Sequence, residues 1–160
     1  HSDVVMVALN ISTPLGGDWG DFYNFHYGKN GSVRKNARKI CDAFNNSSYR
    51  GAYMTDILKD VVGADSSKIM TDVRSGNVSV ETHIKRFNEE MDCIDATKNT
   101  LFILFGGNVS SIFRKYCGRD YKNFIEIFHY SIWGTAEKWV SDTEGKIRSY
   151  CKDHPNVRQF

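Results

Sequence analysis

The chain has 160 residues, of which 41% are hydrophobic and 13% aromatic, enough for one packed domain over residues 1–160. Lys and Arg number 21 against 19 Asp and Glu, and a formal charge of +2 neither demands nucleic acid nor excludes it. No stretch approaches the roughly 18 consecutive apolar residues of a spanning helix and no charged-then-apolar leader opens the chain, so a soluble, unexported, cytoplasmic monomer is expected. Because His1-Ser2-Asp3 runs almost directly into an apolar run, natural residues before it are expected as well.

The first predicted element is a strand over residues 4–9 (Val-Val-Met-Val-Ala-Leu), stopping at Asn10. Residues 10–32 follow without a clean period and are rich in Gly and aromatics, the composition of a long functional loop. Val33, Ala37, Ile40, Cys41 and Phe44 then fall on one face of a predicted helix. A second strand is expected over 51–55, followed by an irregular polar connection from Asp60 to Asn77. Ser79 caps a helix that buries Val80, Ile84, Phe87, Met91 and Ile94, and Leu101-Phe102-Ile103-Leu104-Phe105 is the third strand. A short helix is expected after Ser110 and Ser111, a fourth strand over 124–128, and a last helix capped by Thr135 with Val140, Thr143, Ile147 and Cys151 inward. Strands alternating with helices predict an α/β fold, a three-layer α/β/α sandwich around a four-stranded parallel sheet.

A parallel sheet brings the residues past each strand to one edge, where ligands of such sheets bind. Here those residues are Asn10, Asp56, Gly106-Gly107-Asn108 and His129-Tyr130-Ser131. Polar residues also end strands for purely structural reasons, so the signal is the convergence of four groups rather than any one of them. Gly106 and Gly107 leave backbone N–H groups open where a helix begins, a place for phosphate to which Asn108 and Ser131 add side-chain donors. Arg114 and Lys115, with Arg119, form the basic cluster expected nearest this site. Lys29, Arg34, Lys35, Arg38 and Lys39 form another, which reads more readily as a solvated helix face than as a track for a nucleic-acid backbone.

In order and spacing these motifs resemble the uracil-DNA glycosylase superfamily. The family carries a Gly-x-Asn/Asp-Pro after strand one, an Asn-bearing strand of the type Tyr-Ile-Thr-Asn-Val-Val-Lys, a Gly-containing turn and a late His-Pro-Ser. The counterparts here are Ala8-Leu9-Asn10-Ile11, Tyr53-Met54-Thr55-Asp56-Ile57-Leu58-Lys59, Phe105-Gly106-Gly107-Asn108 and His129-Tyr130-Ser131, with Ile11 and Tyr130 standing where the family has proline. The resemblance covers residues 4 to about 140. It implies a uracil-DNA glycosylase-like fold and a DNA glycosylase acting on a base flipped from a duplex or held in a single strand.

Residue by residue, the resemblance implies that Asn10 orients the attacking water and that His129 donates to the departing base. It implies that Phe25, with Phe22 as the substitute, stacks on the base, His26 standing beside them to contact phosphate or pin the loop. Asp56 takes the place of the Asn that reads the base. An ionised carboxylate only accepts hydrogen bonds, so either a base with an exocyclic amino group or an Asp kept protonated by burial is expected. Trp133 falls at the family's groove-probing loop. Each has a plainer reading: Phe22 and Phe25 plug the loop onto the core, Asp56 caps a turn or pairs with Lys59, and Trp133 and Trp139 are core.

No cofactor or metal is expected, because the histidines lie far apart and Cys41, Cys93, Cys117 and Cys151 are scattered singly as expected buried thiols. Ser131 lacks the Gly-x-Ser-x-Gly setting of a nucleophile. A base-binding module without catalysis and a hydrolase of free nucleosides or nucleotides remain as alternatives, separable by abasic product and by salt-dependent oligonucleotide binding.

Overall fold

The computed structural model describes residues 3–11, 35–131 and 134–160. Four strands, β1 (Val4–Ala8), β2 (Tyr53–Asp56), β3 (Leu101–Phe105) and β4 (Phe124–Ile127), form one sheet in the order β2-β1-β3-β4, with every pairing parallel. The central strands β1 and β3 are buried along their whole length, as their unbroken apolar runs require when both faces of a sheet are covered. The outer strands β2 and β4 mix buried and partly exposed positions.

Five helices are described: α1 (Lys35–Phe44), α2 (Ser66–Ser75), α3 (Val80–Cys93), α4 (Gly107–Tyr116) and α5 (Ala136–Asp153). Two apolar clusters divide along the alternation of the strands. Val5, Val7, Phe102 and Leu104 pack with Ile84, Phe87, Met91, Ile112 and Phe113 of α3 and α4. Val4, Met6, Ala8, Leu101, Ile103, Phe105 and Ile127 pack instead with Ile40 and Phe44 of α1 and Trp139 and Ile147 of α5. Helices therefore cover both faces, compatible with the expected three layers. At its far end the chain returns to the second cluster, where Phe160 meets the Tyr49 ring edge-on at 5.1 Å.

The expectations for Asp60 to Asn77 and for the thiols need correction. The supposed irregular connection contains α2, whose Asp65 side chain accepts from the Ser67 and Lys68 N–H groups and whose end turns through Gly76 at φ 82°. Ile69 is its sole buried residue, so capping rather than an apolar stripe marks this helix. Cys117 and Cys151 are buried, but Cys41 and Cys93 are exposed. Helix α4 also starts before Ser110, at Gly107, and Asp56 is the last residue of β2 rather than the first beyond it.

Candidate functional site

The sheet order determines which strand ends are neighbours. From β1 the chain passes by way of α1 on one face to β2 on one side. Strand β3 lies on the other side of β1, and α2 and α3 lead to it from β2. The carboxyl ends of β1 and β3 therefore flank the point where connections diverge, the usual crevice of an open parallel sheet. Asn10 and Gly106-Gly107 stand there, with Asp56 one strand away on one side and His129 one strand away on the other.

Register carries this further. Ala8 pairs with Asp56, and Phe105 pairs with Ile127. Met54, Ala8 and Ile127 all belong to the cluster under α1 and α5, and Asp56, Asn10 and His129 each follow one of them by two residues. Asp56 ends β2, and Asn10 and His129 lie two residues beyond β1 and β4, so all three stand at the carboxyl edge of the sheet. Adjacent strands lie about 4.8 Å apart, so the ends of β1 and β4, two intervals apart, are separated by about 10 Å across the sheet.

Asn10 donates from Nδ2 to the carbonyls of Ile11 (2.8 Å), Gly63 (2.8 Å) and Val61 (3.2 Å). Those contacts pin the loop after β2 against the end of β1, where Ile11 also bridges Val62. With both amide hydrogens so engaged, Oδ1 is the acceptor of this side chain.

Asp56 has a buried Oδ1 with no hydrogen-bond partner among the described residues. Burial pushes its carboxyl up to about 7; Lys59 works against that shift and the Glu90 carboxylate adds to it. The anticipated pairing with Lys59 does not form. The Lys59 ammonium donates instead to Thr55 Oγ1 at 2.5 Å and to Glu90, whose carboxylate also accepts from Tyr53 Oη at 2.7 Å and from Thr55 Oγ1 at 2.9 Å. Tyr53 and Thr55 share the opposite face of β2 from Asp56, so this network lies behind the carboxyl. Nothing in the sequence announced it, because Glu90 comes from α3 and meets β2 only in the fold.

His129 is positioned from two sides. Its ring stacks on Tyr130 at 4.2 Å, and Tyr130 meets Phe105 edge-on at 5.5 Å, so the residue in the place of the family proline is an aromatic anchor. The Ser131 N–H donates to Nδ1 at 3.2 Å and Ser131 Oγ lies 2.7 Å from the same atom. An Nδ1 that accepts leaves the ring proton on Nε2. Burial lowers the imidazole's affinity for a second proton, which keeps the ring neutral.

Gly106 is at φ 95°, where glycine is favoured, and a Cβ there would lie 3.4 Å from the His129 Cβ. Its N–H donates to Ile127 at 2.9 Å, tying β3 to β4 just below the histidine. Gly107 and Asn108 form the exposed first turn of α4, as a phosphate cradle requires, but a Cβ on Gly107 would stand 3.7 Å from Glu126 Oε1. A carboxylate already faces that helix end.

Of the expected phosphate contacts, Ser131 lies at the site, hydrogen-bonded to His129, and two lie elsewhere. Arg114 and Lys115 occupy the last turn of α4, which at about 1.5 Å per residue carries them some 10 Å along the helix from its first turn. Arg114 Nε donates to Ser110 Oγ at 3.0 Å, and Lys115 lies over Tyr116, 4.7 Å from the ring centroid. A cluster on one short stretch looks near the site in sequence, yet the helix carries it towards the opposite edge of the sheet. Phe22, Phe25, His26 and Trp133 lie outside the described residues. Trp139 is core, as its plainer reading held.

Among the described residues no group of three or more His, Cys, Asp or Glu is placed to hold a metal ion, and no helix is long and apolar enough to cross a membrane. An apolar cleft of about 200 Å³ between α1 and the start of β2 is lined by Met6, Ile40, Phe44 and Met54, and by none of Asn10, Asp56 and His129. Comparisons with protein-family models, with curated proteins and with solved structures found no match.

Proposed function

We propose that the chain is an N-glycosyl hydrolase of the DNA base-excision type, with a uracil-DNA glycosylase-like fold, acting on a base flipped from a duplex or presented by a single strand. The observation that carries this reading is that Asn10, Asp56 and His129 stand at one carboxyl edge of the parallel sheet, burial pushing the Asp56 carboxyl up to about 7 and lowering the proton affinity of the His129 imidazole. Breaking a base–sugar bond puts negative charge on the leaving base, and the His129 Nε2–H donor stabilises it. Asn10 Oδ1 orients water without deprotonating it, which suits a dissociative path in which the bond breaks before the water attacks.

Asp56 then sets base preference through its protonation. In the acid form it offers one donor and one acceptor, as an amide does, and reads an edge with an imino N–H beside a carbonyl. Once ionised it only accepts, and it favours an edge rich in N–H groups. Of the two expectations for this position, an acid held protonated by burial is the one its surroundings support.

The test is a panel of single-stranded and duplex oligonucleotides carrying uracil, hypoxanthine, xanthine or modified cytosine, assayed for alkali-labile abasic sites. At least one is expected to be cleaved, with cleavage abolished by Asn10→Ala and reduced on the order of 100-fold by His129→Ala. On a carbonyl-bearing edge the rate falls as pH rises through about 7, and Asp56→Asn removes that fall. A panel left intact on both sides of that pH sinks the reading. The carbonyl contacts of Asn10 favour one second reading, a base-binding module, since they give this amide a structural role that needs no catalysis. Binding without abasic product would mark it.

A further inference from the structure

We propose that Phe128 and Lys146 form a stacking platform for the base next to the nucleotide in the carboxyl-edge site, so that the ligand is a strand rather than a free nucleoside. This rests on the reading above only in placing a nucleotide between Asn10 and His129.

Among the described residues two large hydrophobic side chains are markedly exposed, Val62 at 47% and Phe128 at 48%. Both belong to the sheet's carboxyl edge. Val62 bridges Ile11, next to Asn10, and Phe128 precedes His129. They bracket the site along the direction in which a strand would cross the sheet.

Phe128 is held there rather than left loose. The indole N–H of Trp139, itself buried in the second core cluster, donates to the Phe128 carbonyl at 3.0 Å. With its backbone tied to α5, the ring stays at the surface, and Lys146 of the same helix places its ammonium 4.2 Å from the ring centroid. With the ammonium over one face of the ring, the platform offers a single strand the opposite face for a base to stack on and a charge for a phosphate to meet. Charge also selects the side: Glu126 lies against the α4 end of this edge and Lys146 against the α5 end, so an anionic backbone is steered over α5. Consecutive Cα atoms are about 3.8 Å apart, so Phe128 and His129 leave the carboxyl edge at neighbouring points.

Binding of a fluorescently labelled oligothymidine, followed by anisotropy over a salt series, tests the platform without requiring cleavage. Phe128→Ala is expected to weaken binding by about 5- to 150-fold with an unchanged salt slope, while Phe128→Trp preserves it. Lys146→Gln is expected to lower the salt slope by about one. Because both side chains lie at the surface, unaltered circular dichroism is expected for each variant. Equal affinity of wild type and Phe128→Ala overturns the proposal, as does a wild type that binds no strand. Phe128-dependent binding without excision of any base would sink the glycosylase reading and leave the platform standing; excision that ignores Phe128 would do the reverse.

Discussion

At the scale of single residues, the Asp56 carboxyl couples stability to the proposed chemistry. An unfolded Asp titrates near 3.8, whereas burial holds the folded group at about 7, so the folded state retains its proton over that interval. Stability is therefore lost as pH climbs from the lower value to the higher, and the loss is complete above it. Asp56→Asn, which keeps the shape and removes the titration, should raise the melting temperature near pH 8 and give no such gain near pH 4. Thermal denaturation at both values checks this, and an equal gain at both would mean the carboxyl ionises freely. That Asp56 ends a strand is plain from the apolar run before it. That its Oδ1 lacks a partner depends on Lys59 being drawn to Glu90, thirty-one positions along the chain.

Among the elements, helices with a strong apolar stripe were legible. α1, α3 and α5 bury residues named from their spacing: Ile40 and Phe44, then Ile84, Phe87 and Met91, then Thr143, Ile147 and Cys151. α2 was not, because one buried isoleucine makes no stripe. Its stability rests on its ends, which leads to a direct expectation. Asp65→Ala removes acceptors for two backbone N–H groups, at 2.9 Å and 3.2 Å, and should cost roughly 0.5–2 kcal/mol. Amide exchange should quicken within α2 more than in β1. Uniform exchange across both elements would assign the effect to the whole fold instead. The start of α4 was misplaced for a related reason. Gly106 starts the helix directly after β3 with a positive φ of 95° and no capping side chain, and Ser110 is a buried residue within the helix.

For the whole molecule, β1 and β3 contribute alternate residues to both apolar clusters, so a loss in one cluster is expected to weaken the other. Phe102 shows the connection: its ring centroid lies 5.0 Å from Phe113 and 4.6 Å from Tyr121 in the first cluster, while its neighbours Leu101 and Ile103 serve the second. Phe102→Ala should cost about 3–5 kcal/mol. Measured by hydrogen exchange, the loss should be as great in α5, across the sheet, as in α3. A deficit confined to α3 would show that the two faces unfold separately. The same central strands support the candidate site, since their carboxyl ends place Asn10 and Gly106 between Asp56 and His129.

Apolar periodicity by itself determined the four strands, four of the five described helices, the α/β class and the polar residues that end each strand. These are properties of neighbouring residues, set by backbone repeat and side-chain character. Only the tertiary structure decided which apolar groups share a face, that Ser131 bonds to His129, that Arg114 and Lys115 stand at the far end of α4, and that the Asp56 carboxyl resists ionisation. Each of those outcomes depends on desolvation and on hydrogen-bond partners that distant segments supply, and neither quantity is defined until the chain has closed around the atoms concerned.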